Sequence, residues 1–165
     1  MQPFKSTFLA AFFAFTLATV GLANHRAGAA ENLRLAPELS FTDDSSSRFP
    51  IEGDRLGDGE IGNGRVTLVF FGAAHCWNTN REAERVVSLY PKFRDRVRFV
   101  IVDVNRPSNA QRALLGKHYE GYIPTLALFA SDGKLLFARP GETARKRGDT
   151  SALDARLTQA LDAQD

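Results

Sequence analysis

VTLVFFGAAHC, residues 66–76, opens with six apolar or β-branched residues in succession and closes on the one cysteine of the chain, Cys76. A run such as Val66 to Phe71 is the pattern of a strand buried on both faces, because neither set of alternating side chains is polar. Gly72-Ala73-Ala74 turns the chain toward His75-Cys76. A helix is expected from about Trp77 to Tyr90, which puts Cys76 at its N-terminus. Arg81, Glu82, Glu84 and Arg85 are assigned to its wet side, and Val86, Val87 and Leu89 to the core side. Pro91 ends or interrupts it, having no N–H for the helical ladder.

Downstream, Val97 to Val104 (VRFVIVDV) is a second buried strand. Ser108-x-x-Gln111 is a capping box that opens a helix through about Tyr119, with Leu114 and Leu115 facing inward. Gly121-Tyr122-Ile123-Pro124 is a turn. Thr125–Ala130 and Lys134–Ala138 read as two strands joined through Ser131-Asp132-Gly133 into a hairpin. Thr150 or Ser151 caps a last helix, in which Leu153, Leu157 and Leu161 recur every four residues. The order β-α-β-α-β-β-α requires a parallel pair with a right-handed crossover, then an antiparallel hairpin. The expected fold class is α/β, a mixed central sheet with helices on both faces, without an internal repeat.

Upstream, residues 31–64 show no clear periodicity and are expected as an irregular N-terminal segment, with short strands near Leu39–Phe41 and Phe49–Ile51. Asp43 to Ser47 is a polar loop. The glycines from Gly53 to Gly64 lie among acids, yet they match neither a phosphate loop nor an EF-hand loop, since the Gly-Lys-Ser/Thr and the regularly spaced acids are missing. A surface loop is the reading taken.

The element order from residue 65 to 165, with Cys76 opening a helix after VTLVFFGAAHC, a second strand FVIVDVN, the tripeptide Ile123-Pro124-Thr125, and Asp132-Gly133-Lys134 followed by a strand and Gly141, resembles the thioredoxin-like superfamily. The resemblance implies that Ile123-Pro124 is the cis-proline loop beside the sulfur, where an extended peptide can dock. It also implies thiol–disulfide chemistry at Cys76. A cysteine at a helix N-terminus faces unpaired N–H groups and the positive end of the dipole, and both favour thiolate over thiol. A protonated His75 acts in the same direction.

The departures from the family pattern are consistent with one another. The motif is Cys76-Trp77-Asn78-Thr79, so Thr79 stands where the family carries its resolving cysteine. The family's tryptophan before the first cysteine is His75 here, and Trp77 follows. Its buried aspartate and lysine, which help move a proton from the resolving cysteine, correspond to Phe70 and a position near Ile101. A two-cysteine cycle therefore cannot run. Cys76 can attack a disulfide, but release of the mixed disulfide needs an external thiol, such as glutathione or a partner cysteine. Expected catalytic residues are Cys76 as nucleophile, with Thr79 (through its hydroxyl) and His75 as thiolate stabilisers. Trp77, Ile123 and Pro124 are the expected substrate-binding set.

Length and composition bound these expectations. The chain has 165 residues, 44% of them apolar and 24% charged, which suits one globular domain. Met1 to Ala30 reads as a secretory signal: Lys5, the apolar stretch Thr7–Ala23, then Ala27-Gly28-Ala29, with cleavage after Ala29 or Ala30 and Ala23 as an earlier site. The alternative is an uncleaved anchor, and membrane association is expected only in that case. Cleavage leaves 135 residues with 19 basic and 19 acidic side chains. Such a balance does not point to nucleic acid. The compartment expected is periplasmic or secreted, where structural cysteines come in pairs. A single one is either buried and inert or kept for chemistry.

With one cysteine and three histidines, one of them in the leader, no multi-cysteine metal site can form. No cofactor is expected, and copper through His75 and Cys76 is the metal reading left open. Tyr119 and Tyr122 are assigned to packing, His118 to the last helical carbonyls, and Arg145-Lys146-Arg147 to a solvated loop. The functional expectation is an exported monothiol protein acting on protein or low-molecular-weight thiols and disulfides. The alternative is a redox-silent thioredoxin-fold binding module in an envelope assembly. Nothing in the sequence sets the oligomeric state.

Overall fold

The computed structural model describes residues 29–57 and 60–164. The leader expected over residues 1–30 lies outside them, except for Ala29 and Ala30. The elements are β1 (Glu31–Leu35), β2 (Ile51–Asp54), β3 (Val66–Gly72), α1 (Trp77–Phe93), β4 (Val97–Asp103), α2 (Asn109–His118), β5 (Thr125–Phe129), β6 (Leu135–Pro140) and α3 (Ser151–Asp162).

Four strands form the central sheet in the order β4-β3-β5-β6. β3 runs parallel to β4 from the pair Val66–Val97 to Gly72–Asp103, and antiparallel to β5 from Thr67–Phe129 to Phe71–Thr125. All seven residues of β3 are buried, as its unbroken apolar run requires. Alternate side chains supply the two faces. Leu68 and Phe70 join Phe99, Ile101, Leu126 and Leu128 in a core sealed by α1 and α3. Val69 and Phe71 join Val100, Val102, Ala127 and Phe129 under Leu114, Leu115 and Tyr119 at α2. The fold is thus the expected α/β, thioredoxin-like arrangement, a mixed sheet with helices on both faces.

Segment 31–64 is more ordered than expected. Its strands are β1 and β2, which pair antiparallel, and residues 39–41 form no strand. The chain then closes the outer edge of β4: Ala30 N donates to Phe99 O at 3.0 Å and Ile101 N donates to Leu56 O at 2.6 Å. Gln111 Nε2 caps Ile101 O at 3.0 Å. These contacts satisfy edge groups that would otherwise invite foreign strands. Gly53 permits the hairpin, because a Cβ there would lie 2.6 Å from Glu31 O.

Other boundaries moved for identifiable reasons. α1 runs three residues past Tyr90 with Pro91 inside it, because Phe93 is buried and Arg94 N closes the last turn on Tyr90 O at 2.9 Å. The Ser108–Gln111 capping box is present. At α3 the side chain of Thr150 makes no cap, and Asp149 Oδ1 accepts from Ser151 N at 3.0 Å instead. Tyr119 packs on Phe71 as expected, whereas Tyr122 is 62% exposed and not a packing residue. The His118 ring meets the Phe129 ring edge-on, with centroids 4.7 Å apart. Burial there, and then Lys117, push the His118 pKa below its ordinary value.

Candidate functional site

Cys76 is the N-cap of α1, with extended backbone (φ −146°, ψ 105°) and a partly exposed free thiol. The turn that delivers it uses a left-handed His75, φ 57°, an uncommon conformation for a side-chain-bearing residue. His75 is exposed, and its N–H donates to Ser46 O at 2.9 Å. Cys76 O accepts the first helical bond, from Asn80 N at 3.1 Å.

The loop over residues 40–46, which overlaps the expected polar loop Asp43–Ser47, straps this helix start. Asp44 Oδ1 accepts the Trp77 N–H at 2.9 Å. Asn80 Nδ2 donates to Ser40 O at 2.6 Å and to Ser46 Oγ at 3.0 Å. The first turn of α1 holds no acid of its own, so Asp44 supplies the anionic group that the positive end of the helix favours. Hydrogen bonds from Ser45 and Ser40 hold the neighbouring Asp43 carboxyl below its ordinary range.

Thr79 corrects an expectation. It is fully buried, and its Oγ1 has no hydrogen-bond partner among the described residues, the Cys76 sulfur included. Its methyl instead fills the space over Gly72, where a Cβ would lie 2.6 Å from Thr79 Cγ2 and 2.7 Å from Phe70 Cε1. Phe70 and Ile101 are core residues exposed by 0% and 2%.

Trp77 is partly buried, with the Arg81 guanidinium 5.2 Å from its ring centroid. The Ile123–Pro124 peptide bond is cis. Pro124 is buried, and its carbonyl accepts from Gly141 N at 2.8 Å. The pairing of Thr125 with Phe71 brings Ile123 and Pro124 to the end of β3 from which residues 72–76 depart. His75, Cys76, Trp77 and Thr79 therefore share the start of α1, with Ile123 and Pro124 at the same end of the sheet. Among the described residues, no group of three or more His, Cys, Asp or Glu side chains is placed to hold a metal ion.

The largest correction lies one turn further along α1. Glu82 and Arg85, assigned to the wet side, are both fully buried. Arg85 Nη1 meets Glu82 Oε2 at 2.7 Å and Nη2 meets Glu142 Oε2 at 2.7 Å. Arg85 also donates to the carbonyls of Ala144, Lys146 and Asp149 at 2.9–3.1 Å. Glu82 further accepts from Thr143 N at 3.0 Å and Thr143 Oγ1 at 2.8 Å. The loop after β6 is thereby fastened to α1. Arg147, read as solvated, chelates Glu84 at 2.8 and 2.9 Å and lies 3.6 Å over the Phe41 ring, tying this loop to the strap. Those bonds hold the Glu84 carboxyl below its ordinary range and raise Arg147. The spacing Glu82, Val86, Leu89, Phe93 follows the buried stripe of the helix, a signal that polarity masked.

No protein-family model matches the sequence, and no curated protein matches it. Among solved structures the chain is similar to thioredoxin of Fasciola hepatica, with 23% identity, 59% of this chain and 83% of that chain covered and a TM-score of 0.47. It is similar also to thioredoxin of Malassezia sympodialis (22% identity, 61% and 78% covered, TM-score 0.48). Mitochondrial thioredoxin 3 of Saccharomyces cerevisiae gives 20% identity, 59% and 79% covered and a TM-score of 0.44. Likeness at this level concerns the fold alone, which the strand order and register of this chain establish independently.

Proposed function

We propose that this chain is an exported protein that takes part in thiol–disulfide exchange through a single thiol, Cys76. The observation that carries the reading is the placement of that partly exposed thiol as the N-cap of α1, at the sheet end where Ile123 and Pro124 also lie. In the proposed step the Cys76 thiolate attacks one sulfur of a substrate disulfide. The substrate S–S bond breaks, a mixed disulfide forms on Cys76, and the other sulfur leaves as thiolate. With no second cysteine in the chain, an external thiol attacks the mixed disulfide and restores Cys76. Trp77, Ile123 and Pro124 flank the docking surface, and His75 is the exposed neighbour of the sulfur. The substrates are protein or low-molecular-weight disulfides of the periplasm or secretory space. One observation favours the alternative, a redox-silent binding module: the Asp44 carboxylate already occupies a helix N–H that a thiolate would otherwise face.

Reactivity separates the two. Purified protein mixed with a neutral low-molecular-weight disulfide should form a mixed disulfide on Cys76 that persists until a thiol is added, and Cys76→Ser should form none. Thr79→Cys should restore a Cys-x-x-Cys pair and speed insulin disulfide reduction well above wild type. An inert Cys76 would leave the binding module. A wild type as fast as Thr79→Cys would overturn the argument from the missing cysteine.

A further inference from the structure

We infer that Asp44 is a specificity-determining residue that makes Cys76 discriminate against anionic disulfides and thiols, favouring those borne on neutral or basic groups. This deepens the proposed exchange at Cys76 and rests on it. The Asp44 carboxylate is fixed 2.9 Å from the N–H of Trp77, the residue that follows the thiol. Three further contacts hold the strap that carries it: His75 N to Ser46 O, and Asn80 Nδ2 to Ser40 O and Ser46 Oγ. Asp43 adds a second acid to the strap. Of the cations on α1 and the loop after β6, Arg81 pairs with Glu142 at 3.0 Å and Arg147 with Glu84 at 2.8 Å. His75 is the one basic residue between Gly72 and Asn80.

Hydrogen-bonding capacity nevertheless remains unspent on this turn. Thr79 Oγ1 and Asn80 Oδ1 belong to fully buried residues and have no partner among the described residues. The helix start thus presents the fixed negative charge of Asp44, and no buried polar group, to whatever approaches the sulfur. A carboxylate-bearing disulfide meets repulsion during attack, and a carboxylate-bearing thiol meets it again during release. A cysteine on a neutral or basic polypeptide segment meets none. The chemistry of each exchange is unchanged: one S–S bond forms as another breaks, and the leaving sulfur departs as thiolate.

The test compares rates of mixed-disulfide formation at Cys76 for three probes at pH 8: dianionic 5,5′-dithiobis(2-nitrobenzoate), neutral 4,4′-dithiodipyridine and dicationic cystamine. Asp44→Asn keeps an oxygen acceptor for the Trp77 N–H and removes the charge. At low ionic strength it should raise the anionic-to-neutral rate ratio about three- to five-fold and lower the cationic-to-neutral ratio, and in ~0.5 M salt both changes should shrink below about two-fold. The ratio cancels any change in the intrinsic nucleophilicity of the thiol. Ratios equal in wild type and Asp44→Asn, or a difference that survives high salt, would overturn the charge selection while leaving the exchange reading in place. Failure of Cys76 to react even with the neutral probe would remove both.

Discussion

Replacement of Arg85 by methionine should be among the most damaging single changes available to this chain. Methionine approximates the arginine stem in volume, so the perturbation is electrical. Arg85 is fully buried and carries two ion pairs, with Glu82 and Glu142, and three bonds to loop carbonyls. Its removal leaves Glu82, also fully buried, with Thr143 as its remaining partner. Breaking a buried pair by removing one member costs roughly 3–5 kcal/mol. The loop carbonyls lie closer to water and soften the loss, so about 3–4 kcal/mol is expected. In urea this lowers the unfolding midpoint by about 1.5–2 M if the slope is about 2 kcal/mol/M and unchanged. The double variant Glu82→Leu, Arg85→Met removes both buried charges and should be more stable than Arg85→Met alone by at least about 1 kcal/mol. Hydrogen exchange should show residues 142–149 loosened in the single variant. A loss below about 1 kcal/mol, or a double variant equal to the sum of its singles, would refute the account of a cation held by compensation.

Gly72→Ala should cost roughly 1–3 kcal/mol, because the new Cβ meets Thr79 Cγ2 at 2.6 Å and the Phe70 ring at 2.7 Å. The same change in a Thr79→Ser background, which deletes that methyl, should cost less, and an equal cost in the two backgrounds would deny the contact. For His118 the folded pKa lies below the unfolded one, chiefly through burial. The unfolded chain therefore binds the proton first as pH falls, and stability should decline below about pH 6.5. Thermal melts from pH 7.5 to 5 should show a shallower decline for His118→Asn than for wild type, whereas parallel declines would remove His118 from the account.

The central sheet was legible in the residue pattern. β3, β4 and β5 are short, mostly apolar runs rich in β-branched and aromatic residues whose burial is a local property, and the Ser108–Gln111 box and the Ser131-Asp132-Gly133 turn carry their geometry in a few adjacent residues. The same pattern also located Cys76 at the start of a helix and Ile123-Pro124 before β5. Tertiary structure alone decided the rest, where partners are far apart along the chain. Asp44 reaches Trp77 across 33 positions and Glu82 reaches Thr143 across 61. Polarity misplaced Glu82 and Arg85, since a charge is assigned to solvent until its partners are known: the two pair with each other, and Glu142 and Thr143 from the loop after β6 complete the set. Thr79 was assigned to the sulfur by its spacing, yet the glycine at position 72 opens room for its methyl and turns it into packing. The hairpin β1–β2 has so little periodicity over its short strands that only the pairing, and the edge of β4 it protects, could reveal it.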